Sequence, residues 1–141
     1  MKAASLLLLR LGTGLLLILW GALRLLTPEA GPMLANTYYR GLASVQSVQI
    51  VFGAAELLLG LLVCLGLFRK IAYPAQAALL ILGTIAIGKY LIDPLGIWLL
   101  DRETSQILFF PSITVAAATL VLIAFREFDT FSLDEKLRRR G

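Results

Sequence analysis

The chain has 141 residues, of which 59% are hydrophobic and only 16% are charged, and it carries a net charge of +4. These values exclude a water-soluble domain of this size and indicate a membrane protein. Its basic residues stand beside the ends of apolar segments, so they suit anionic lipid headgroups better than nucleic acid. Because the chain has no histidine and a single cysteine, the usual general base, the usual haem and zinc ligands and a paired-thiol redox centre are also excluded.

Four apolar segments follow one another along the chain, at 6–26, 45–68, 71–92 and 107–125. Each has about the 20 residues that a helix needs to cross a bilayer. Arg10 interrupts the first segment and no small-x-small cleavage site follows it, so we expect a retained span and not a signal peptide. The sequence therefore predicts an all-α, polytopic membrane protein with a single membrane domain, built as an antiparallel bundle of four transmembrane helices.

The connections differ in length. The basic turn between the second and third segments is very short, which makes those two helices antiparallel neighbours. The loop 27–44 contains prolines and then Tyr38 and Tyr39, a pattern typical of a turn followed by an aromatic anchor at the membrane interface. The loop 93–106 begins Asp-Pro and carries an apolar patch with Trp98, so we expect it to lie along the membrane surface.

Residues 126–141 form a short basic tail. Ser132 stands three residues before Glu135, which is the capping-box spacing at the start of a helix, and the basic run 138–140 falls in the last turn, where cations suit the helix dipole. With the N-terminus inside, eight basic residues fall on the cytoplasmic side and four on the other. Because Lys and Arg in short loops favour the cytoplasm, both termini are predicted there, in a bacterial cytoplasmic (inner) membrane.

Polar and small residues recur at steps of three, four or seven in three of the four segments, so that each of these helices has one polar, glycine-containing face. The members are Arg10, Gly14, Gly21 and Arg24 in the first segment, Gln46, Gln49, Gly53, Glu56, Gly60 and Cys64 in the second, and Gln76, Gly83 and Tyr90 in the third. In lipid, helices associate through close backbone approach and buried polar groups. These three faces are therefore expected to pack against protein, and the fourth helix closes the bundle.

Glu56 lies near the middle of its segment, where an ionised carboxylate costs about 2.5–3.5 kcal/mol. It is expected to be either protonated or paired with a cation. Counting depth at about 1.5 Å per residue places Arg10 nearer to Glu56 than Arg24 is, which favours an Arg10–Glu56 ion pair. A neutral Glu56 bonded to Gln49 or Thr13 is the alternative, and both a purely structural role and the handling of a proton or ligand remain open.

The candidate residues for an intramembrane polar cluster or ligand site are Arg10, Trp20, Arg24, Gln49, Glu56, Lys89, Tyr90 and Asp93. Lys89 has Asp93 four residues on, which predicts a separate ion pair near the end of the third segment. No residue is expected to be catalytic or to bind a metal. Cys64 has apolar neighbours and no second thiol to react with, so it is expected to pack inertly and to be dispensable.

Two motifs stand in the first two segments. They are Arg10-x-Gly-x-Gly14 followed by Trp20-Gly21 and Arg24, and Gly53-x-x-Glu56-x-x-x-Gly60 followed by Leu61-Leu62 and Gly66. Together they resemble the first two helices of DoxX-like membrane proteins, and the likeness covers about the first 90 residues. The resemblance implies a four-helix integral membrane protein, linked either to quinone-coupled sulfur oxidation or to membrane assemblies that resist oxidative stress or help other proteins assemble.

Three functions are compatible with these features. The missing catalytic groups favour an accessory or assembly subunit of a larger membrane complex or homo-oligomer, without a cofactor and without enzymatic activity of its own. The alternative is a redox-linked protein that binds a quinone or small lipid-like ligand between its helices, with polar contacts from Glu56, Arg10, Gln49, Tyr90 and Trp20. A small transporter is the third, although no inverted repeat is visible in the sequence.

Overall fold

The structure is a computed structural model that describes residues 1–41 and 44–139. It is all-helical, with 74% of residues in helix and no strand in the described ranges. The helices are α1 Lys2–Leu26, α2 Ala30–Tyr38, α3 Gln46–Leu65, α4 Arg69–Ala86, α5 Gly88–Ile92, α6 Ser112–Ala124 and α7 Leu133–Arg138, with short 3₁₀ turns at Ile107–Phe109 and Arg126–Phe128. Arg140, part of the predicted basic run, lies outside the described residues.

Three segments of the described chain are long and apolar enough to cross a membrane, namely Lys2–Leu26, Gln46–Leu65 and Ile107–Ala124. They match the first, second and fourth predicted spans. The third predicted span, 71–92, is divided at Ile87 into α4 and α5. Because α4 begins with Arg69 and Lys70, it is less apolar than the other long helices. The structure thus supports a helical membrane protein with three candidate spans, one fewer than the sequence predicted.

Glycines bring α1 and α3 into direct backbone contact. A Cβ atom on Gly21 would lie 2.5 Å from the carbonyl oxygen of Gly53, and one on Gly60 would lie 2.7 Å from the carbonyl oxygen of Gly14. Since rising numbers along α1 meet falling numbers along α3, the two helices are antiparallel. The predicted small-residue faces of these helices therefore pack against each other, as expected of helices associating in lipid.

The second pair is formed by α4 and α6, which pack against each other, while α4 also contacts α3 and α6 contacts α1. An apolar cluster joins the pairs near the N-terminus of α1. Its buried members are Leu6, Val63, Ala72, Tyr73 and Leu122. We call this end of the molecule, which also holds the α3–α4 turn and residues 126–139, the tail end. The opposite end, with the C-terminus of α1, the whole of α2 and the start of α3, is the pocket end.

The turn between α3 and α4 is held by the tail. Gly66 ends α3 in the left-handed region at φ 68°, where glycine is favoured, and a Cβ there would lie 2.6 Å from Ser132. The carboxylate of Asp134 accepts hydrogen bonds from the backbone N–H of Phe68 at 3.0 Å and of Arg69 at 2.8 Å. It thereby satisfies free donors at the start of α4 from a distant part of the chain.

A buried charge cluster fixes the tail to α1. Both oxygens of Asp129 accept from Nη1 of Arg10, at 3.1 and 3.0 Å, and the Tyr73 hydroxyl also donates to this carboxylate. Arg69 Nη1 lies 3.9 Å from it. The Arg10 and Asp129 side chains are 2% and 0% exposed. The tail, expected from the sequence as a basic anchor at the headgroups or as a docking site for an acidic partner, is an integral part of the packed structure.

The predicted tail helix is confirmed as α7. The hydroxyl of Ser132 accepts from the backbone N–H of Glu135 at 3.4 Å, as the capping spacing predicts. Glu135 in turn accepts hydrogen bonds from Arg138 and Arg139. The bond from Arg138 lowers the pKa of the Glu135 carboxyl, against the opposing effect of desolvation. Two of the basic residues of the tail are thus already paired within the chain.

The glycine contact gives a stability prediction. Gly21→Ala forces a methyl group into the α3 backbone and should destabilise the protein by about 1–3 kcal/mol, as overpacking does. Gly12→Ala is the matched control on the same helix, because a Cβ there meets nothing within 4 Å, and it should be neutral or stabilise by about 0.4–1 kcal/mol. SDS titration in mild detergent, followed by far-UV circular dichroism, measures both. Equal effects of the two changes would contradict the packing described here.

The tail cluster gives a second prediction. Asp129→Asn leaves the buried Arg10 without its counter-charge and should cost about 3–5 kcal/mol, the range for breaking a buried ion pair. Asp101→Asn changes an exposed aspartate at the pocket end and should leave stability within about 0.5 kcal/mol. The same SDS titration compares the two variants. If Asp129→Asn is no less stable than Asp101→Asn, the tail is not held by this ion pair.

Candidate functional site

The two helix pairs leave a cavity of about 630 Å³ between them at the pocket end. This volume falls within the usual range for small-molecule sites of about 300–1,000 Å³. Most of the wall is apolar and comes from leucine, isoleucine, alanine and phenylalanine side chains. The polar and aromatic-polar side chains of the lining are Trp20, Arg24, Tyr39, Gln49, Glu56, Thr84 and Ser112. Arg24 and Glu56 are the charged residues among the described lining.

Arg24 and Glu56 form an ion pair at one end of this cavity. Arg24 Nη1 donates to Glu56 Oε2 at 2.7 Å, and Arg24 Nε donates to Gln49 Oε1 at 2.8 Å. The guanidinium lies 5.0 Å from the ring centre of Phe52 and 5.7 Å from that of Trp20. The side chains of the ion pair are 11% and 7% exposed. Carboxylate, amide and aromatic faces together hold the cation in one position.

The expected Arg10–Glu56 ion pair is wrong, because Arg24 is the partner of Glu56 and Arg10 binds Asp129. Side chains on a helix tilt toward its N-terminus. In the antiparallel α1–α3 pair, Arg24 therefore points toward the middle of the structure and Glu56 points toward the pocket end, so the two converge. Arg10 points away, toward the tail end. The Thr13 hydroxyl bonds a carbonyl one turn earlier in its own helix at 3.0 Å.

Helix α2 covers the cavity at the pocket end, in a segment predicted to be only a loop. Gly31 approaches α3 so closely that a Cβ would lie 2.7 Å from Gln49 Oε1, and Ala35 is buried. Pro32 made a helix here unexpected, but it stands in the first turn, where its missing N–H would have no partner anyway. Tyr39 follows α2 and lines the cavity, and its burial raises the pKa of the hydroxyl.

Three aromatic rings close the same end beside α2. The ring centres of Tyr38 and Phe109 lie 4.9 Å apart, those of Tyr90 and Phe109 lie 5.3 Å apart, and those of Tyr38 and Tyr90 lie 5.7 Å apart. Two of the three contacts are edge-to-face, an arrangement that aromatic pairs prefer. Lys89 Nζ lies 4.7 Å from the Tyr90 ring centre. Tyr38 thus packs against protein, where the sequence predicted an interfacial anchor.

Asp93 organises a turn and does not face the cavity. Its buried carboxylate accepts four backbone hydrogen bonds of 2.7–3.0 Å, from residues 97–100. Desolvation favours a higher pKa for Asp93, but the four hydrogen bonds outweigh it and hold the pKa well below its usual value. The predicted ion pair between Lys89 and Asp93 is absent from the described residues. The Asp93 carboxylate is engaged by the N–H groups of residues 97–100, and the Lys89 ammonium lies over the Tyr90 ring instead.

The structure brings four of the eight candidate residues together at the cavity, namely Trp20, Arg24, Gln49 and Glu56. Arg10, Lys89, Tyr90 and Asp93 lie elsewhere, as described above. Sequence analysis missed Phe52 and Tyr39. Phe52 precedes Glu56 by one helical turn, so the spacing alone could have placed it beside the carboxylate. Tyr39 carried no comparable signal, since its position depends on how α2 packs.

Gly83 and Cys64, two further residues of the predicted helix faces, lie in different surroundings. Gly83 lines the cavity, and a Cβ there would meet nothing within 4 Å. Cys64 lies at the α1–α3 contact, where its sulfur would be 2.6 Å from a Cβ on Gly14. Within residues 1–41 and 44–139, no group of three or more histidine, cysteine, aspartate or glutamate side chains could hold a metal ion.

Comparisons with protein-family models, with curated proteins and with solved structures gave no match. The function is therefore inferred from the cavity and its residues. The chemistry that they offer is hydrogen bonding and charge at one end and apolar contact elsewhere.

The ion pair at the cavity gives a third prediction. Glu56→Gln keeps the shape of the side chain but leaves the Arg24 charge unpaired, which should cost about 3–5 kcal/mol of stability. The double variant Arg24→Met with Glu56→Leu removes both charges and should recover most of that loss, since apolar replacements of buried pairs are often neutral. SDS titration of the wild type, of Glu56→Gln and of the double variant measures these differences in stability. A Glu56→Gln variant as stable as the wild type would show that Arg24 does not depend on the carboxylate charge.

Proposed function

We propose that this chain is a DoxX-like integral membrane protein that binds a quinone or similar small lipid-like molecule between its helices. The observation that carries this proposal is the cavity of about 630 Å³ with the Arg24–Glu56 pair at one end. Sites for small ligands combine mainly apolar walls with a few polar groups that orient the ligand. Here Arg24, Glu56 and Tyr39 would contact the polar part of the ligand, and the leucine-rich wall would contact its apolar part.

The geometry favours ligand binding over the role of an accessory subunit. An accessory subunit would bind its larger partner through the small-residue faces of its helices and through the basic tail. The glycines of α1 and α3 are occupied by each other, and Arg138 and Arg139 bond to Glu135. Binding, and not catalysis, is proposed because the described lining contains no histidine or cysteine and no second carboxylate beside Glu56.

We further propose four crossings, with α4 and α5 together forming the third, and both termini in the cytoplasm of a bacterial cell whose inner membrane holds the protein. Two observations support this topology. Lys2 Nζ lies 4.7 Å from the ring centre of Phe128, so the N-terminus and the tail are at the same end. The α3–α4 turn is bonded to that tail through Asp134. The basic residues that favour the cytoplasmic side are concentrated at this end.

Ligand binding is tested by filling the cavity. Gly83→Leu places an isobutyl group into open space on the cavity wall and should abolish binding without loss of fold. Gly12→Leu is the matched control, since it adds the same group to open space on the exposed face of α1. Each protein is purified from its native membrane in mild detergent, and bound lipid-soluble molecules are extracted and measured by mass spectrometry. We expect about one bound molecule per chain in the wild type and in Gly12→Leu.

In Gly83→Leu the bound molecule should fall at least about tenfold, which corresponds to about 1.4 kcal/mol of binding free energy. Circular dichroism on the same samples checks that the fold is retained. Equal content of the same molecule in both variants, or none in the wild type, would contradict the proposed function.

A further inference from the structure

We propose that the ligand is an uncharged amphiphile carrying a hydroxyl or carbonyl group, and that it enters the cavity sideways from the bilayer. This rests on the proposed function and narrows both the chemical class of the ligand and its route. Three features of the cavity support this proposal: the charge balance of its lining, the closure of one end and the exposure of one wall.

The charge of the lining is already balanced. Arg24 and Glu56 lie 2.7 Å apart, and they are the charged members of the described lining. A charged head group would have to lose its hydration and then compete with an ion pair of good geometry, which costs more than it returns. An uncharged group has no such requirement. The bonds to Gln49 and Glu56 engage Nε and Nη1 of Arg24, so Nη2 can donate to a carbonyl or hydroxyl oxygen of the ligand.

A hydroxyl group has a second partner in this site. Glu56 accepts from Arg24 through Oε2, so its Oε1 can accept a hydrogen bond from the ligand. The donor edge of Arg24 and the acceptor oxygen of Glu56 together match a neutral group that both accepts and donates. An alcohol satisfies both, and a carbonyl satisfies the first.

The pocket end is covered. Helix α2 packs on α3 through Gly31, and Ala35, one turn further along α2, is also buried. The ring of Tyr38, the last residue of α2, and the rings of Tyr90 and Phe109 have centres 4.9–5.7 Å apart, and two of their three contacts are edge-to-face. Entry of a water-dissolved ligand along the helix axis would require these groups to move apart.

One wall of the cavity reaches the outer surface. Leu82 on α4 and Leu108 in the Ile107–Phe109 turn both line the cavity, and they are 64% and 82% exposed. A side chain that lines a cavity and is mostly exposed lies at its mouth. Leu108 belongs to the candidate span Ile107–Ala124, so this mouth faces lipid if that segment crosses the membrane. Apolar residues at the mouth suit a ligand that is dissolved in the bilayer.

Trp20 can report on the occupant, because it lines the cavity and only Trp98 shares its fluorescence. The Trp98→Phe protein is placed in phosphatidylcholine vesicles and titrated with two membrane-dissolved probes. One is a nitroxide-labelled long-chain alcohol, and the other is the alkyl sulfate with the same chain and label, which is charged at every working pH. We expect the alcohol to quench Trp20 saturably. The apparent affinity of the sulfate in the same titration should be at least about tenfold weaker. The saturable component should disappear in Gly83→Leu and persist in Gly12→Leu.

The route is tested by adding the water-soluble quencher acrylamide to the same vesicles without nitroxide. We expect Trp20 to be quenched little by acrylamide, whereas Trp98 in the Trp20→Phe protein should be quenched strongly. Quenching of Trp20 as strong as that of Trp98 would overturn lateral entry. Equal or tighter saturation by the sulfate would overturn the uncharged class while leaving the cavity as a binding site. Absence of saturable quenching by either probe would instead contradict the proposed function itself.

Discussion

An arginine buried among apolar helices needs an anionic partner, and α1 carries two such arginines, one at each end of the molecule. Arg24 is satisfied within the helix pair by Glu56, so this end becomes a polar site beside a cavity. Arg10 is satisfied by Asp129, far along the chain, so the other end becomes a closed cluster. Removing one partner of either ion pair costs more free energy than forming the pair contributes. The pairs therefore define a unique arrangement more than they add net stability.

Packing follows from the same helix. The glycines of α1 and α3 bring these two helices together along most of their length, whereas the buried apolar cluster that joins α4 and α6 to them lies at the tail end. Because side chains in protein interiors are normally close-packed, a cavity at the pocket end requires walls that cannot collapse. Helix α2 and the aromatic rings at its end supply that support, and Gly83 leaves one position of the α4 wall without a side chain.

Apolar length predicted three of the spans, and the cost of a buried carboxylate predicted that Glu56 would need a partner. The choice of Arg10 failed because depth alone was counted. The tilt of side chains toward the helix N-terminus, which depends only on topology, would have favoured Arg24. By contrast, the burial of Asp129 had no local signal, since an aspartate in a basic tail normally faces water. Contacts between distant residues are not contained in spacing or periodicity, and the position of Tyr39 was missed for the same reason. Helix α2 was missed for a local reason, because Pro32 argued against a helix there.

The ion pair between Arg10 and Asp129 joins residues separated by 119 positions. Ribosomes make about 5–20 residues per second, so roughly 6–24 s pass between the synthesis of the arginine and that of its partner. During this interval α1 must hold an uncompensated cation, at the headgroups or against other membrane components. A part of the chain that is made late therefore completes the structure of a part that is made early. Any chain interrupted before Asp129 would keep this buried arginine without its counter-charge.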